Sequence, residues 1–184
     1  DIEVSATDSD VLYATYARSF FRSTDGGVTW QLMRDFVGET EDLSIDPTNG
    51  DRVYVAVLNQ GLFRSENGGQ SFQQIAPAAP HIWSVGVADD GQTVYYADTS
   101  GKFFRSTDGG ENFAERTATG LTVTRIVVEA GQPDVIMALR GPFLMRSSNG
   151  GGTWSTVVPD SEIIDAIVRL SATIAVGNET DLRA

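Results

Sequence analysis

Arg22-Ser23-Thr24-Asp25-Gly26-Gly27-Val28-Thr29-Trp30 is a stretch that the chain repeats, with small changes, three more times. The arginines that open the four copies are residues 22, 64, 105 and 146, so the spacings are 42, 41 and 41 residues. Self-similarity at a fixed period of this length predicts a repeat architecture, in which each repeat is one supersecondary unit. The organisation of the whole chain is therefore expected to follow this motif.

The shared pattern is Arg-Ser-x-Asp/Asn-Gly-Gly-x-(Thr/Ser/Asn)-aromatic. The Asp or Asn can accept N–H bonds within its own turn, and the glycine pair adopts positive φ without steric cost. Runs of alternating side chains flank each copy, so we interpret the motif as a rigid hairpin between two antiparallel strands. We expect the aromatic residues to pack in the core and the opening arginines to form strand-to-strand ion pairs. The structural positions are Ser23, Asp25, Gly27, Thr29 and Trp30; Ser65, Asn67, Gly69 and Phe72; Ser106, Asp108, Gly110 and Phe113; and Ser147, Asn149, Gly151, Thr153 and Trp154.

In its first copy the motif resembles the full Asp-box, or bacterial neuraminidase repeat, and the other three copies are close variants. Proteins with this box include sialidases, sortilin-type receptors, xyloglucan-cleaving hydrolases and photosystem II assembly-factor-like proteins. The resemblance implies a β-propeller with one box per blade, and it covers nearly the whole chain. It also implies that the box lies away from the ligand-binding face, and it favours an extracellular or cell-surface location.

The segments between the boxes are short β-rich runs without helical periodicity, and each repeat contains four of them. The sequence therefore predicts an all-β protein, a β-propeller of four complete four-stranded antiparallel blades plus an incomplete fifth. As one domain, residues 1–184, it would have blades at about 1–33, 42–75, 82–116 and 123–158, and a partial blade at 163–184. Both ends fall inside a repeat. We expect a part of a larger propeller, or blades completed by another chain.

Composition excludes several classes of function. The chain has no cysteine, so disulfides, thiolate metal sites and cysteine nucleophiles are ruled out. With 25 acidic and 13 basic residues its net charge is −12, which opposes binding to nucleic acid or anionic membrane. It has no apolar run long enough to span a bilayer. The spacing of acids in the boxes does not follow a calcium loop, and we expect no metal and no cofactor.

Lys102 is the only lysine, and the other twelve basic residues are arginines. An acidic, lysine-poor surface is typical of proteins from salt-loving organisms. A GC-rich genome also favours arginine over lysine, so both interpretations remain open at this stage.

Strand direction alternates within a blade, so the face opposite the boxes carries the second-to-third-strand turns and the blade-to-blade connections. Binding residues concentrate on loops held by a rigid scaffold. The loops of this face are residues 16–19, 34–41, 59–61, 76–83, 98–101, 117–122, 140–142 and 159–162. Our candidates for ligand contacts there are Arg34 and Asp35, His81 and Trp83, and Arg140. An aromatic ring beside polar groups suits a sugar ring or a peptide.

Catalytic patterns are not evident. A sialidase-like site would need an Arg-Ile-Pro segment, and Arg125-Ile126-Val127 is the nearest string. Glycoside hydrolysis needs two carboxylates at a set separation, which sequence does not give. The available carboxylates are Asp35, Glu39, Asp98, Asp160 and Glu162. We therefore expect no catalytic residue, and a scaffold that binds protein or carbohydrate. The alternatives are part of a glycoside hydrolase, with catalytic residues partly outside this chain, and a structural module of a surface or extracellular assembly.

Overall fold

The computed structural model describes residues 1–77, 81–116, 122–141 and 143–158. These residues form four separate four-stranded antiparallel sheets and contain no helix. The predicted partial blade at 163–184 lies outside the described residues, as do Asp160, Glu162, Pro80 and Pro142. No helix in the described ranges is long and apolar enough to cross a membrane.

Each sheet is a meander of four consecutive strands, and we call each sheet a blade. In every blade the first strand is the inner one and the fourth strand is the outer one. The first blade consists of β1 (Ile2–Val4), β2 (Leu12–Tyr16), β3 (Ser19–Ser23) and β4 (Gln31–Asp35). The second consists of β5 (Thr40–Asp46), β6 (Asn49–Val57), β7 (Gly61–Ser65) and β8 (Gln73–Ala76). The third consists of β9 (Ile82–Val87), β10 (Val94–Asp98), β11 (Phe103–Ser106) and β12 (Ala114–Glu115). The fourth consists of β13 (Arg125–Glu129), β14 (Gln132–Arg140), β15 (Phe143–Ser147) and β16 (Ser155–Val158).

Each box is the hairpin between the third and fourth strands of its blade, as predicted. In the first box the Asp25 carboxylate accepts the N–H of Thr29 at 2.8 Å and its hydroxyl at 2.5 Å. The Ser23 hydroxyl accepts the Gly27 N–H at 2.9 Å and donates to Asp25 at 2.8 Å. The N–H of Gly26 donates to the carbonyl of Asp10 at 3.0 Å, which ties the box to the turn between β1 and β2. That turn and the box therefore share one face.

The outer strand of the first blade begins only after the box is complete. β4 starts at Gln31, directly after Trp30. The reason is that Thr29 is bound to Asp25, and the indole N–H of Trp30 donates to the Gly27 carbonyl at 3.0 Å. These two residues complete the box and do not join the strand.

The aromatic residues of the boxes pack between blades. Phe72 of the second box contacts Phe20 of the first blade, with ring centroids 5.1 Å apart. Trp154 of the fourth box contacts Phe103 of the third blade at 5.0 Å. The prediction of a core position is wrong for Trp30, which is 37% exposed. Its blade has no preceding sheet among the described residues, so its indole lacks the neighbour that the other boxes have.

Three of the four box arginines also join neighbouring blades. Arg22 pairs with Asp51 at 3.1 Å, Arg64 pairs with Glu111 at 2.5 Å, and Arg105 pairs with Asp134. The predicted ion pairs are therefore present, and they run from the third strand of one blade to the next blade. The fourth, Arg146, lies 3.7 Å from a carboxylate of its own blade.

Candidate binding site at the channel mouth

The inner strands β1, β5, β9 and β13 lie side by side around the propeller axis and begin on the face opposite the boxes. Polar side chains at the start of these strands bridge adjacent blades. Asp42 of the second blade accepts the Ser84 hydroxyl at 2.7 Å and the Val85 N–H at 2.9 Å. The Ser84 hydroxyl of the third blade in turn accepts the Ile126 N–H of the fourth at 3.0 Å. Each bridge binds the backbone of the following blade and fixes the position of its inner strand.

Glu3 makes the same kind of bridge from the first blade to the second. Its Oε2 accepts the N–H of Ile45 at 2.9 Å. Burial of the carboxyl group, and then the nearby Asp42 carboxyl, raise the pKa of Glu3 to about 8. Burial also raises the pKa of Asp42, although Arg125 and the Ser84 hydroxyl act in the opposite direction. Burial therefore favours the protonated form of the Glu3 carboxyl group.

Arg125 lies at the start of β13 and reaches back towards the first two blades. Its guanidinium is 3.4 Å from the Asp42 carboxylate and 3.8 Å from that of Asp1. Glu3, Asp42 and Arg125 line a cavity of about 190 Å³ between the inner strands, together with other residues of β5, β9 and β13. We call this cavity the channel. It combines two carboxyl groups with one cation in a confined space.

His81 and Trp83 lie at the mouth of the channel, where β9 begins. Their rings are stacked with centroids 4.9 Å apart and planes 19° apart. The His81 Nε2 atom is 3.2 Å from the Glu41 carboxylate, which is an ion-pair distance, but the angle does not make a hydrogen bond. Trp83 is 36% exposed. A carboxylate of the second blade thus lies beside an imidazole of the third, and the imidazole stacks on a partly exposed indole.

The exposure of Trp83 follows from an irregularity in strand pairing. Ala97 pairs with Ser84 and Asp98 pairs with Ile82, so Trp83 is an extra residue without a partner in the ladder. The second blade shows the same shift at Glu41, because Thr40 and Asp42 pair with consecutive residues of β6. β-Bulges of this kind redirect side chains at the edges of sheets.

Arg34 and Asp35 occupy a different part of the molecule. Both lie on the outer strand β4, three strands or about 14 Å from the inner strand of the same blade. The Arg34 guanidinium is 4.7 Å from the ring centroid of Phe36 and also covers two rings of the second blade. Asp35 accepts the Ser19 hydroxyl at 2.5 Å. Both side chains thus hold partners within the fold.

Arg140 ends β14 and faces Phe143 across the turn to β15, on the face of the channel mouth. Its guanidinium forms no ion pair with any residue in the described ranges. Of the five candidates, the structure brings only His81 and Trp83 into direct contact.

Sequence reasoning missed the bridging residues Glu3, Asp42 and Ser84. One signal was available, because Asp42 and Ser84 are 42 residues apart, which matches the repeat period. Each is the third residue of the inner strand of its blade. Polar groups at the same phase of successive repeats indicate a shared role between blades.

A comparison with known protein families supports the identification of the first box. The model of the BNR/Asp-box repeat family matches residues 21–32, which include the first box. A comparison with curated protein sequences gave no match.

Solved structures with the same architecture are longer than this chain. An ancestral GH74 enzyme superposes with a TM-score of 0.75 at 19% identity, over 88% of this chain and 24% of that one. The structure of YCF48 bound to D1 peptide gives 0.65 at 17% identity, over 85% and 51% respectively. An auxiliary nutrient binding protein from Bacteroides thetaiotaomicron gives 0.68 at 8% identity, over 84% and 40%. The chain thus spans between 24% and 51% of their lengths, and identities this low bear on the fold alone. The protein carries a BNR/Asp-box repeat in a β-propeller fold.

Proposed function

We propose that this chain is a non-catalytic binding scaffold, which holds a segment of another protein or a glycan at the channel mouth. The observation that carries the proposal is the exposed indole of Trp83, which stacks on His81, while the His81 Nε2 atom lies 3.2 Å from the Glu41 carboxylate of the neighbouring blade. An exposed aromatic ring beside oriented polar groups is what both sugar rings and peptide side chains require.

Pre-organisation favours this site over other exposed apolar residues. The His81 ring restricts the rotamers of Trp83, so binding would cost little side-chain entropy. The bridges of Asp42 and Ser84 fix the inner strands beneath it. One propeller of known structure is bound to a peptide and another is described as nutrient binding, which makes the proposal compatible with the fold but does not choose between ligands.

Trp30 provides a matched control for the test. It is a tryptophan of nearly the same exposure, 37% against 36%, but it lies in a box on the opposite face. The protein and its variants would be applied to glycan and peptide arrays, and positive spots would be titrated by calorimetry. We expect Trp83→Ala to abolish binding and Trp30→Ala to leave it unchanged. Equal effects of the two variants, or binding that survives Trp83→Ala, would place the site elsewhere.

A glycoside hydrolase is the second candidate, and one observation favours it. Glu3 lies beside Asp42 in the channel, burial raises the pKa of its carboxyl group, and a raised pKa is what a general acid needs. Assays of the hydrolysis of chromogenic sialosides and β-glucosides test the glycoside hydrolase hypothesis. Turnover that disappears in both Glu3→Gln and Asp42→Asn would replace the scaffold proposal. We expect no turnover, because these carboxyl groups already hold the main chain or side chains of neighbouring strands.

A further inference from the structure

A second cavity, of about 480 Å³, opens on the same face between the first and second blades. Arg18 lines it from the turn between β2 and β3, and Leu58, Asn59 and Gln60 line it from the turn between β6 and β7. The connection between the blades closes it with residues 37–39. None of these residues lines the channel. We call this cavity the cleft, and its volume lies in the range of small-molecule sites.

Backbone hydrogen bonds hold the walls of the cleft in place. The N–H of Thr40 donates to the Ala17 carbonyl at 2.7 Å, and its hydroxyl donates to the same oxygen at 2.9 Å. Phe36 donates to the carbonyl of Arg18 at 2.8 Å, and Leu58 donates to that of Glu39 at 2.7 Å. Three chain segments are thereby joined, so the cleft does not have to form when a ligand arrives.

The two turns that border the cleft contain strained backbone. Ala17 has φ of 52° and Asn59 has φ of 58°, and they are the two non-glycine residues with positive φ in the described ranges. Such conformations persist only where the surrounding structure enforces them, and they concentrate at ligand sites. Both strained residues of the described chain thus flank one cavity.

The side chains of the cleft offer two opposite charges without partners. Arg18 and Glu39 are exposed, and neither side chain forms an ion pair or hydrogen bond with any residue that the structure describes. Elsewhere, arginines such as Arg22, Arg64 and Arg105 are paired with carboxylates. A cation and an anion that face one cavity but do not bind each other are available to a ligand.

The remaining walls supply an apolar surface and a fixed amide. Val37 is 86% exposed and Leu58 is half-buried. The Gln60 amide, in the orientation that its neighbours favour, accepts the N–H groups of Val37 and Gly38 at 3.0 and 2.6 Å. Because its oxygen is held there, the position of the Gln60 side chain at the cavity wall is defined. The cleft therefore presents a positive group, a negative group and apolar side chains together.

We propose that the cleft binds a zwitterionic α-amino acid, free or as a short peptide with both ends unblocked. The Arg18 guanidinium donates to the ligand carboxylate, and the ligand ammonium donates to the Glu39 carboxylate. An apolar ligand side chain packs against Val37 and Leu58. A zwitterion has no net charge, so a protein of net charge −12 does not repel it, unlike a simple anion.

Isothermal titration calorimetry with the full chain tests the proposal. Leucine and phenylalanine would be compared with N-acetyl-leucine and leucine amide, each of which lacks one charge, and with the dipeptide Leu-Leu. We expect each blocked analogue to bind at least about tenfold more weakly, because a charged hydrogen-bond partner is lost. Tighter binding of Leu-Leu than of leucine would identify the short peptide as the ligand, and the reverse would identify the free amino acid.

Variants of Arg18 and Glu39 test which charged group of the ligand each side chain binds. Arg18→Gln should weaken binding of leucine at least about tenfold and abolish the preference for leucine over leucine amide. Glu39→Gln should do the same for the preference over N-acetyl-leucine. Arg140→Gln removes the unpaired arginine of the fourth blade, and Trp83→Ala changes the channel mouth, so both should leave leucine binding unchanged. Absence of leucine, phenylalanine and Leu-Leu binding at millimolar concentration, or equal binding of blocked and free ligands, would overturn the proposal, whatever the arrays show for the channel mouth.

Discussion

At the scale of single residues, Asp25 orders its hairpin from an exposed position. Its carboxylate accepts the hydroxyl and the N–H of Thr29 and the hydroxyl of Ser23. These bonds, with the Thr29 hydroxyl first, lower the pKa of Asp25 to about 2. Asn67 and Asn149 accept the corresponding N–H in two other boxes. The common requirement is therefore an acceptor oxygen, which either a carboxylate or an amide supplies.

We predict that Asp25→Ala lowers the melting temperature at pH 7 and that Asp25→Asn has little effect, because Asn retains the acceptor. A carboxyl whose pKa is lower in the folded state contributes stability above its ordinary pKa, and this contribution is lost as the pH falls through the folded value. Between about pH 4 and about pH 2 the wild type should therefore lose more stability than Asp25→Ala. Circular dichroism melts across this range provide the measurement. Equal melting temperatures of wild type and Asp25→Ala at pH 7 would show that the turn does not depend on the acceptor.

Glu3 titrates in the opposite direction. Its pKa in the fold, about 8, lies above the ordinary value of 4.5, so the folded state binds the proton more tightly than the unfolded state. The free energy of unfolding should therefore fall as the pH rises from about 4.5 to about 8. Glu3→Gln retains an acceptor for Ile45 but does not ionise, so we predict that it removes part of this decline. Urea unfolding of both proteins at pH 5 and pH 9 provides the test. Parallel changes in the two proteins would mean that Glu3 ionises normally.

At the scale of elements, the second glycine of the second, third and fourth boxes lies against a side chain of the preceding blade. Gly69 has φ of 86°, and a Cβ atom built on it would lie 2.4 Å from Cε1 of Phe20 in the preceding blade. Gly27 of the first box has the same φ, but the nearest atom to its Cβ would be 3.7 Å away, in Trp30. The two positions share the backbone strain and differ in the neighbouring sheet.

This pair separates backbone strain from blade contact. We predict that Gly69→Ala lowers the melting temperature clearly more than Gly27→Ala, because only the former places a methyl group against an aromatic ring of another blade. Thermal unfolding at one pH and one salt concentration measures the difference. If both variants lose the same stability, the cost is local to the turn and the packing between blades is not affected.

Much of the secondary structure could be predicted from the sequence, because each box contains its own hydrogen-bond partners. The hairpins, the four-stranded meanders and the absence of helix in the described residues agree with the repeat pattern. The exposure of Trp30 could not be predicted, since it depends on which sheet lies beside the first blade.

The residues at the channel mouth could be predicted only in part from the sequence. The topology of the meander indicated the correct face for a loop such as the one that carries His81 and Trp83. The contact between His81 and Glu41 depends on a bulge in each of two blades, and one-residue shifts of this kind leave no periodic signal. The charge of Arg34 suggests a ligand contact, but its guanidinium covers Phe36, because cations also pack on aromatic faces.

At the scale of the whole molecule, the net charge of −12 opposes the compact state. Salt screens this repulsion, but it also weakens the ion pairs between blades. The carboxylates in those pairs, such as Asp51, are exposed, so each pair contributes little to the stability of the fold. We therefore expect the screening of the general repulsion to dominate.

We predict that the melting temperature rises as potassium chloride is increased into the molar range, which is the behaviour of proteins adapted to high salt. Differential scanning calorimetry at fixed pH measures the trend. A melting temperature that stays constant or falls would remove the halophile interpretation and leave the arginine bias as a feature of composition.

The reach of Arg125 has a consequence for cooperativity. The bridges made by Glu3, Asp42 and Ser84 connect successive blades, as links do in a one-dimensional lattice. In such a lattice an end unit can fray when a single interface is lost. Arg125 adds a cross-tie, because its guanidinium is close to Asp42 two blades away and to Asp1 three blades away. Unfolding of the first blade must then also break a contact with the fourth blade. The described blades are therefore expected to unfold together rather than one after another.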